Sequence, residues 1–119
     1  AESIARGREA QLNGAPVDFH FNQAVYVNDA WGIPKGGKNV AWAQELCAMC
    51  VTAPMQAAYS KIIPYGPTNT EALKLIDAKT LETLPSSEQN FKKGRLLDVN
   101  WWADNGPKVV ERFNKWLLT

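Results

Sequence analysis

Two cysteines, one histidine and a row of aromatic and acidic side chains are the chemically capable residues of this 119-residue chain. Cys47-Ala-Met-Cys50 is a C-x-x-C. A redox role needs the first cysteine at a helix N-terminus, where the dipole favours thiolate. Here both fall late in a predicted helix over residues 40–51, on an apolar stripe with Val40, Ala43, Leu46 and Val51. No second cysteine pair completes a zinc site. We read Cys47 and Cys50 as core residues and expect free thiols, because a disulfide across i,i+3 of a regular helix strains it. A thiol oxidoreductase using the pair is the enzymatic alternative. His20 is the only histidine, with no second metal-type ligand at useful spacing and no partners for a triad. Residues 32–38 lack the frame of a phosphate loop, since Asn39 follows Lys38.

The remaining constellation is Tyr26, Asp29, Trp31, Tyr65, Trp101, Trp102 and Asp104. A primary or secondary amine needs a carboxylate for its charge. Its methylenes and its charge also favour aromatic faces, at about 0.5–2 kcal/mol per cation–π contact. Ordinary packing is the competing reading. Five tryptophans in so short a chain, two of them adjacent, raise the weight of a ligand surface.

Thirteen Lys+Arg against twelve Asp+Glu leave a net charge of +1, which gives no bulk attraction to nucleic acid. No apolar run reaches the length of a membrane span. The opening AESIARGREAQLNG has neither a basic start nor an apolar run, and no initiating Met. A processed secreted protein or an internal fragment is the expectation from that start.

Asp29 sits in VYVNDAWGIPK, where Val25, Val27, Asp29, Trp31 and Ile33 share one face of an extended segment. An acid in an apolar row marks a solvated strand end or a site. Before it, Ser3–Asn13 reads as a helix with Gly14 at its C-terminus and Pro16 beyond. Val17–Phe21 alternates like a strand with one face in the core. After it, Asn39 is placed to cap the helix bearing the cysteines. Thr52 and Pro54 open another helix, with Met55, Ala58, Tyr59 and Ile62 expected inside. Thr68 with Glu71 forms a capping-box pattern into a short helix through Ile76. Ala78–Leu84 is a second short helical piece, and Ser86–Asn90 a polar loop with another capping pattern. Leu96–Val99 is apolar apart from Asp98. Asn105 and Pro107 read as the start of the last helix, with Val109, Val110, Phe113, Trp116 and Leu117 on one face. Two strands alone make a marginal sheet, so sheet partners are expected beyond these residues.

NDAWGIPKGGKN, IIPYGPTN and LDVNWWADNGPKVVERFNKWLL, in that order, resemble the C-terminal third of bacterial periplasmic solute-binding proteins of ABC importers. The spermidine/putrescine-binding branch is the most similar, and the resemblance covers essentially the whole chain. It implies an α/β class: a C-terminal fragment of a two-lobe periplasmic-binding-protein fold, mostly helical with two N-terminal strands. Residues 1–24 then form the tail of the second lobe, residues 25–32 the inter-lobe crossing strand, and residues 33–119 the C-terminal part of the first lobe.

The resemblance also implies a binding function without chemistry. A polyamine-like cationic solute is held in the inter-lobe cleft and passed to an ABC permease in the inner membrane. The location is periplasmic, and the missing N-terminal lobe or another chain completes the sheet. Asp29 matches the family's acid and pairs with a ligand ammonium, with Trp31 beside it. Tyr65 matches the family's tyrosine in a Tyr-Gly-Pro-Thr turn. Two positions depart: Val27 stands where the family has an aromatic, and Trp102 where it has a glutamine after a tryptophan. No cofactor or metal is implied. A small helical interaction module is the second alternative.

Overall fold

In the computed structural model, which describes residues 4–119, the chain is mostly helical, with two short strands. In order these are α1 (Ile4–Leu12), β1 (Val25–Tyr26), α2 (Val40–Cys50), α3 (Ala53–Ile62), α4 (Thr70–Leu73), α5 (Ala78–Leu81), α6 (Glu88–Phe91), β2 (Arg95–Leu96) and α7 (Val99–Leu117). The expected Ser3 cap lies outside the described residues.

Helix α1 ends as its sequence requires. Gly14 has φ +87°. The Gly14 and Ala15 amides donate to the Gln11 and Ala10 carbonyls at 3.1 and 3.0 Å, the paired bonds of a Schellman motif. The following segment departs from expectation. Val17–Phe21 is not a strand; Phe21 is buried, but Val17 is exposed and no neighbouring strand bonds its backbone. Alternation gave the segment its strand pattern, and a strand exists only where another strand pairs with it.

β1 pairs instead with β2, seventy residues on, in parallel register Val25↔Arg95 and Tyr26↔Leu96. The expected long strand Val25–Ile33 is paired at its first two residues only. The chain beyond Tyr26 is without regular structure and exposed as far as Pro34. It turns there, with the Gly37 amide donating to the Pro34 carbonyl and Gly36 at φ +83°, the pattern of a type II turn.

The helices pack through small residues. Ala57, Ala72, Ile76 and Leu84 form the buried cluster, with Ala53 and Leu81 against it. α3 therefore turns Ala53, Ala57 and Ser60 inward, while Met55, Tyr59 and Ile62, expected inside, are exposed. On α2 only Ala43, Cys47 and Cys50 are partly buried; Val40, Leu46 and Val51 are exposed. Small side chains let the α3 and α4 backbones approach closely, and that approach selects the face.

Capping corrects two further boundaries. Asn69, not Thr68, caps α4, its side chain accepting from the Glu71 amide at 3.1 Å. Thr68 is engaged elsewhere, its hydroxyl accepting from Gln56 Nε2 at 3.0 Å. Asp98 caps α7, accepting from the Trp101 amide at 3.0 Å, so the helix begins six residues before Asn105 and holds Pro107 in its interior. The polar stretch expected as a loop around Ser86–Asn90 contains α6, with Ser87 at its N-cap position.

The surface is large for the mass. A folded monomer of 13.2 kDa exposes about 6,400 Å². This chain exposes 9672 Å². Its radius of gyration is 17.4 Å, where a compact domain of this length has about 13–14 Å. Trp42, Trp31, Phe113, Trp116 and Leu117 are all more than half exposed. These are proportions of part of a larger fold.

Candidate functional site

Two parallel strands side by side bring their carboxyl ends together. The three residues after Tyr26 lead to Asp29, and the two after Leu96 lead to Asp98, the α7 cap. In open parallel sheets the crevice outside the strand carboxyl ends is the usual ligand position. The backbone ladder extends past the paired residues: the Arg95 amide donates to the Ala24 carbonyl at 2.9 Å and the Leu97 amide to the Tyr26 carbonyl at 2.8 Å. The two segments that leave this ladder carry Asp29 with Trp31, and Trp101 with Trp102.

Tyr26 ties the ladder to the helical part. Its ring is buried and stacks on Phe91 at 5.2 Å, with an 18° angle between planes. Its hydroxyl donates to the Asn90 carbonyl at 2.5 Å. Asn90, itself buried, donates through Nδ2 to the carbonyls of Glu82 and Leu84 at 2.9 and 3.0 Å. Burial raises the Tyr26 pKa, which keeps the phenol protonated as the donor this bond needs. Gly94 completes the fit: a Cβ there would lie 2.3 Å from the Ala24 carbonyl oxygen and 2.7 Å from the Tyr26 ring.

The four sequence-selected residues are distributed as follows. Asp29 is exposed and makes no hydrogen bond or ion pair with the described residues. Trp31 is 69% exposed. Trp102 lies in the first turn of α7, its ring edge-on to Trp101 at 5.5 Å. Tyr65 sits apart, in the α3–α4 loop. Its carbonyl accepts from the Ser60 hydroxyl at 2.7 Å and its ring neighbours Tyr59 at 6.2 Å. Asp29, Trp31 and Trp102 thus follow the same end of the β1–β2 pair, and Tyr65 belongs to the helical cluster. All four present surface with no occupant among the described residues.

His20 is exposed in the unpaired segment before β1. No group of three or more metal-ligating side chains occurs among the described residues. No described helix is long and apolar enough to cross a membrane. Sequence reasoning missed Tyr26 as an anchor and Asp98 as a cap. Tyr26 falls on the strand face opposite Asp29, and an Asp three residues before a tryptophan pair was the available signal for the cap.

No protein-family profile matches the chain. A solved structure does: the PBP AgtB from A. tumefacien R10 in complex with agropinic acid, with a TM-score of 0.75 and 32% identity over 98% of this chain. The fold is that of part of a periplasmic binding protein. A gamma-aminobutyric acid-binding protein of Pseudomonas aeruginosa is 31% identical over 107 residues, 90% of this chain. The chain spans 37% of the first protein and 30% of the second. Both relatives are solute-binding proteins rather than enzymes.

Proposed function

We propose that the chain is the ligand-contacting segment of an ABC importer's substrate-binding protein, and that its solute is a small amine-bearing molecule. The observation that carries this reading is the adjacency of the two strand carboxyl ends, one leading to Asp29 and the other to Trp101 and Trp102. Asp29 takes the ammonium. Trp31 and Trp102 cover the methylenes, and Tyr65 adds a wall from the helical cluster. Residues 25–32 serve as the crossing between lobes, residues 1–24 as the end of the second lobe, and residues 33–119 as part of the first. The protein works in the periplasm and delivers its solute to a membrane permease.

The solute class is drawn more finely as an amino acid or related acid than as a polyamine. One relative is named for gamma-aminobutyric acid and the other is in complex with agropinic acid, and a polyamine has no acid group. Val27 and Trp102 favour the same direction, since each departs from the polyamine pattern. Calorimetry on the complete two-lobe protein with gamma-aminobutyric acid, putrescine and spermidine separates the classes. The reading expects binding that needs Asp29. Equal affinity of wild type and Asp29→Asn for every amine would overturn it. The 119 residues alone supply half a cleft, so they bind weakly; micromolar affinity from them alone would contradict the two-lobe site.

A further inference from the structure

We propose that Gly66 and Ser60 are positioning residues of the solute site: together they seat the loop that carries Tyr65 on Ser86, in the same buried turn that anchors strand β1. The proposal rests on the solute-binding reading above and on the place given there to Tyr65.

Gly66 follows Tyr65 in the loop between α3 and α4. It does not need to be glycine for its backbone angles, since its φ is not positive. It needs to be glycine for space. A Cβ at this position would lie 2.8 Å from both the Ser86 amide nitrogen and the Ser86 Cβ, and closer still to Oγ. Overpacking of that degree forces one of the two segments to move.

Ser86 is not the segment that yields. Its neighbours Leu84 and Ser87 are buried, and the Leu84 carbonyl accepts from the Ser87 amide at 3.3 Å, the Ser87 hydroxyl at 3.1 Å and Asn90 Nδ2 at 3.0 Å. The Asn90 carbonyl in turn receives the Tyr26 hydroxyl, which holds β1. Residues 84–90 are therefore a common mount. The strand that leads to Asp29 and Trp31 is tied to one end, and the Tyr65 loop rests at the other. The mount sets how the Tyr65 loop stands relative to that strand.

The other side of the loop is fastened from α3. The buried Ser60 hydroxyl donates to the Tyr65 carbonyl at 2.7 Å. Gln56 accepts from the Asn69 amide at 2.8 Å and donates to Thr68 Oγ1 at 3.0 Å. The backbone is thus held from two sides while the Tyr65 ring stays 43% exposed. A ring presented this way needs little ordering when a solute arrives. A side chain at Gly66 lifts the loop from Ser86 and carries the ring with it.

Calorimetry on the complete two-lobe protein tests this, with gamma-aminobutyric acid, putrescine and spermidine as probes and the tightest binder as the readout. Gly66→Ala, Ser60→Ala and Tyr65→Ala are measured singly, and the first two again in the Tyr65→Ala background. Gly66→Ala is expected to weaken binding about fivefold or more and Ser60→Ala by less, and both losses vanish in the Tyr65→Ala background, where no ring is left to misplace. A residue that only stabilises the fold gives the same loss with or without the ring. Ser60→Ala adds no atoms, so it reads the coupling even if Gly66→Ala does not fold. Losses that persist without the ring, or no loss from either variant while Tyr65→Ala weakens binding, overturn the proposal and leave the solute reading standing. Tyr65→Ala without effect, where Asp29→Asn weakens binding, removes Tyr65 from the site and the proposal with it. Failure of every probe to bind overturns the solute reading and the proposal together.

Discussion

The Tyr26 hydroxyl donates to the Asn90 carbonyl at 2.5 Å across sixty-four residues of chain, and that bond joins the strand pair to the helical cluster. The Asn90 side chain in turn holds the carbonyls of Glu82 and Leu84. Tyr26→Phe keeps the ring on Phe91 and loses only the bond, so it costs about 1–2 kcal/mol. Asn90→Ala removes two side-chain hydrogen bonds, to the Glu82 and Leu84 carbonyls, from a buried position and costs more, about 2–4 kcal/mol. Urea denaturation of both variants measures the order, and a Tyr26→Phe cost equal to that of Asn90→Ala would contradict it.

Gly94→Ala tests the strand pairing itself. Its Cβ would meet backbone atoms of Ala24 at 2.3 and 2.9 Å, and backbone cannot rotate away as a side chain can. The expected cost is about 3 kcal/mol or more, with loss of protection of the Arg95 and Leu97 amides in hydrogen exchange.

Ser86 is expected to behave in the opposite sense. Its Oγ is buried without a hydrogen-bond partner among the described residues. Ser86→Ala removes an unsatisfied group and leaves stability unchanged or raises it by up to about 1 kcal/mol. A thermal midpoint lowered by several degrees would show that the hydroxyl has a partner.

Asp29→Asn separates binding from folding. The side chain is exposed and bonds nothing among the described residues, so the thermal midpoint stays within about a degree of wild type, as for surface substitutions generally. In the complete protein, loss of the charge lowers amine affinity about tenfold or more, the scale of a charge-assisted bond. Calorimetry reads the second effect and a melting curve the first.

The acid limb of the stability curve has a local contributor. Asp77 accepts from the Thr80 amide at 2.9 Å and from the Thr80 hydroxyl at 2.8 Å, and these bonds, the amide first, lower its pKa in the folded chain. A carboxyl with a lowered folded pKa adds stability above its unfolded pKa and loses it as pH falls through the folded one. The contribution is therefore present at neutral pH and disappears below about pH 4. Melting curves from pH 7 to pH 3 should fall less steeply for Asp77→Asn, which still caps α5 but does not titrate.

Local chemistry was legible without coordinates. Gly14 ends α1, Pro34 with Gly36 turns the chain, Thr52 and Pro54 open α3, and motif order pointed to a periplasmic-binding-protein fragment. Each of these depends on a few neighbouring residues. Asn105 suits a cap and Pro107 a first turn, so the sequence alone places the start of the last helix there. Asp98, capping from further back, carried the helix through it.

The amino-acid order by itself determined most of the helices, most of their stops and the likeness to periplasmic binding proteins, because capping, turn chemistry and short motifs act within a few residues. Only the tertiary structure decided the partner of β1, since seventy residues separate Tyr26 from Leu96 and alternation at Val17–Phe21 offered a nearer strand. It also decided which helix faces turn inward. Ala57 and Ala72 pack closely at the centre, while larger apolar side chains such as Trp116 and Ile62 remain exposed. A hydrophobic pattern records that a face can be covered, and which faces are covered is set by how closely the backbones can approach.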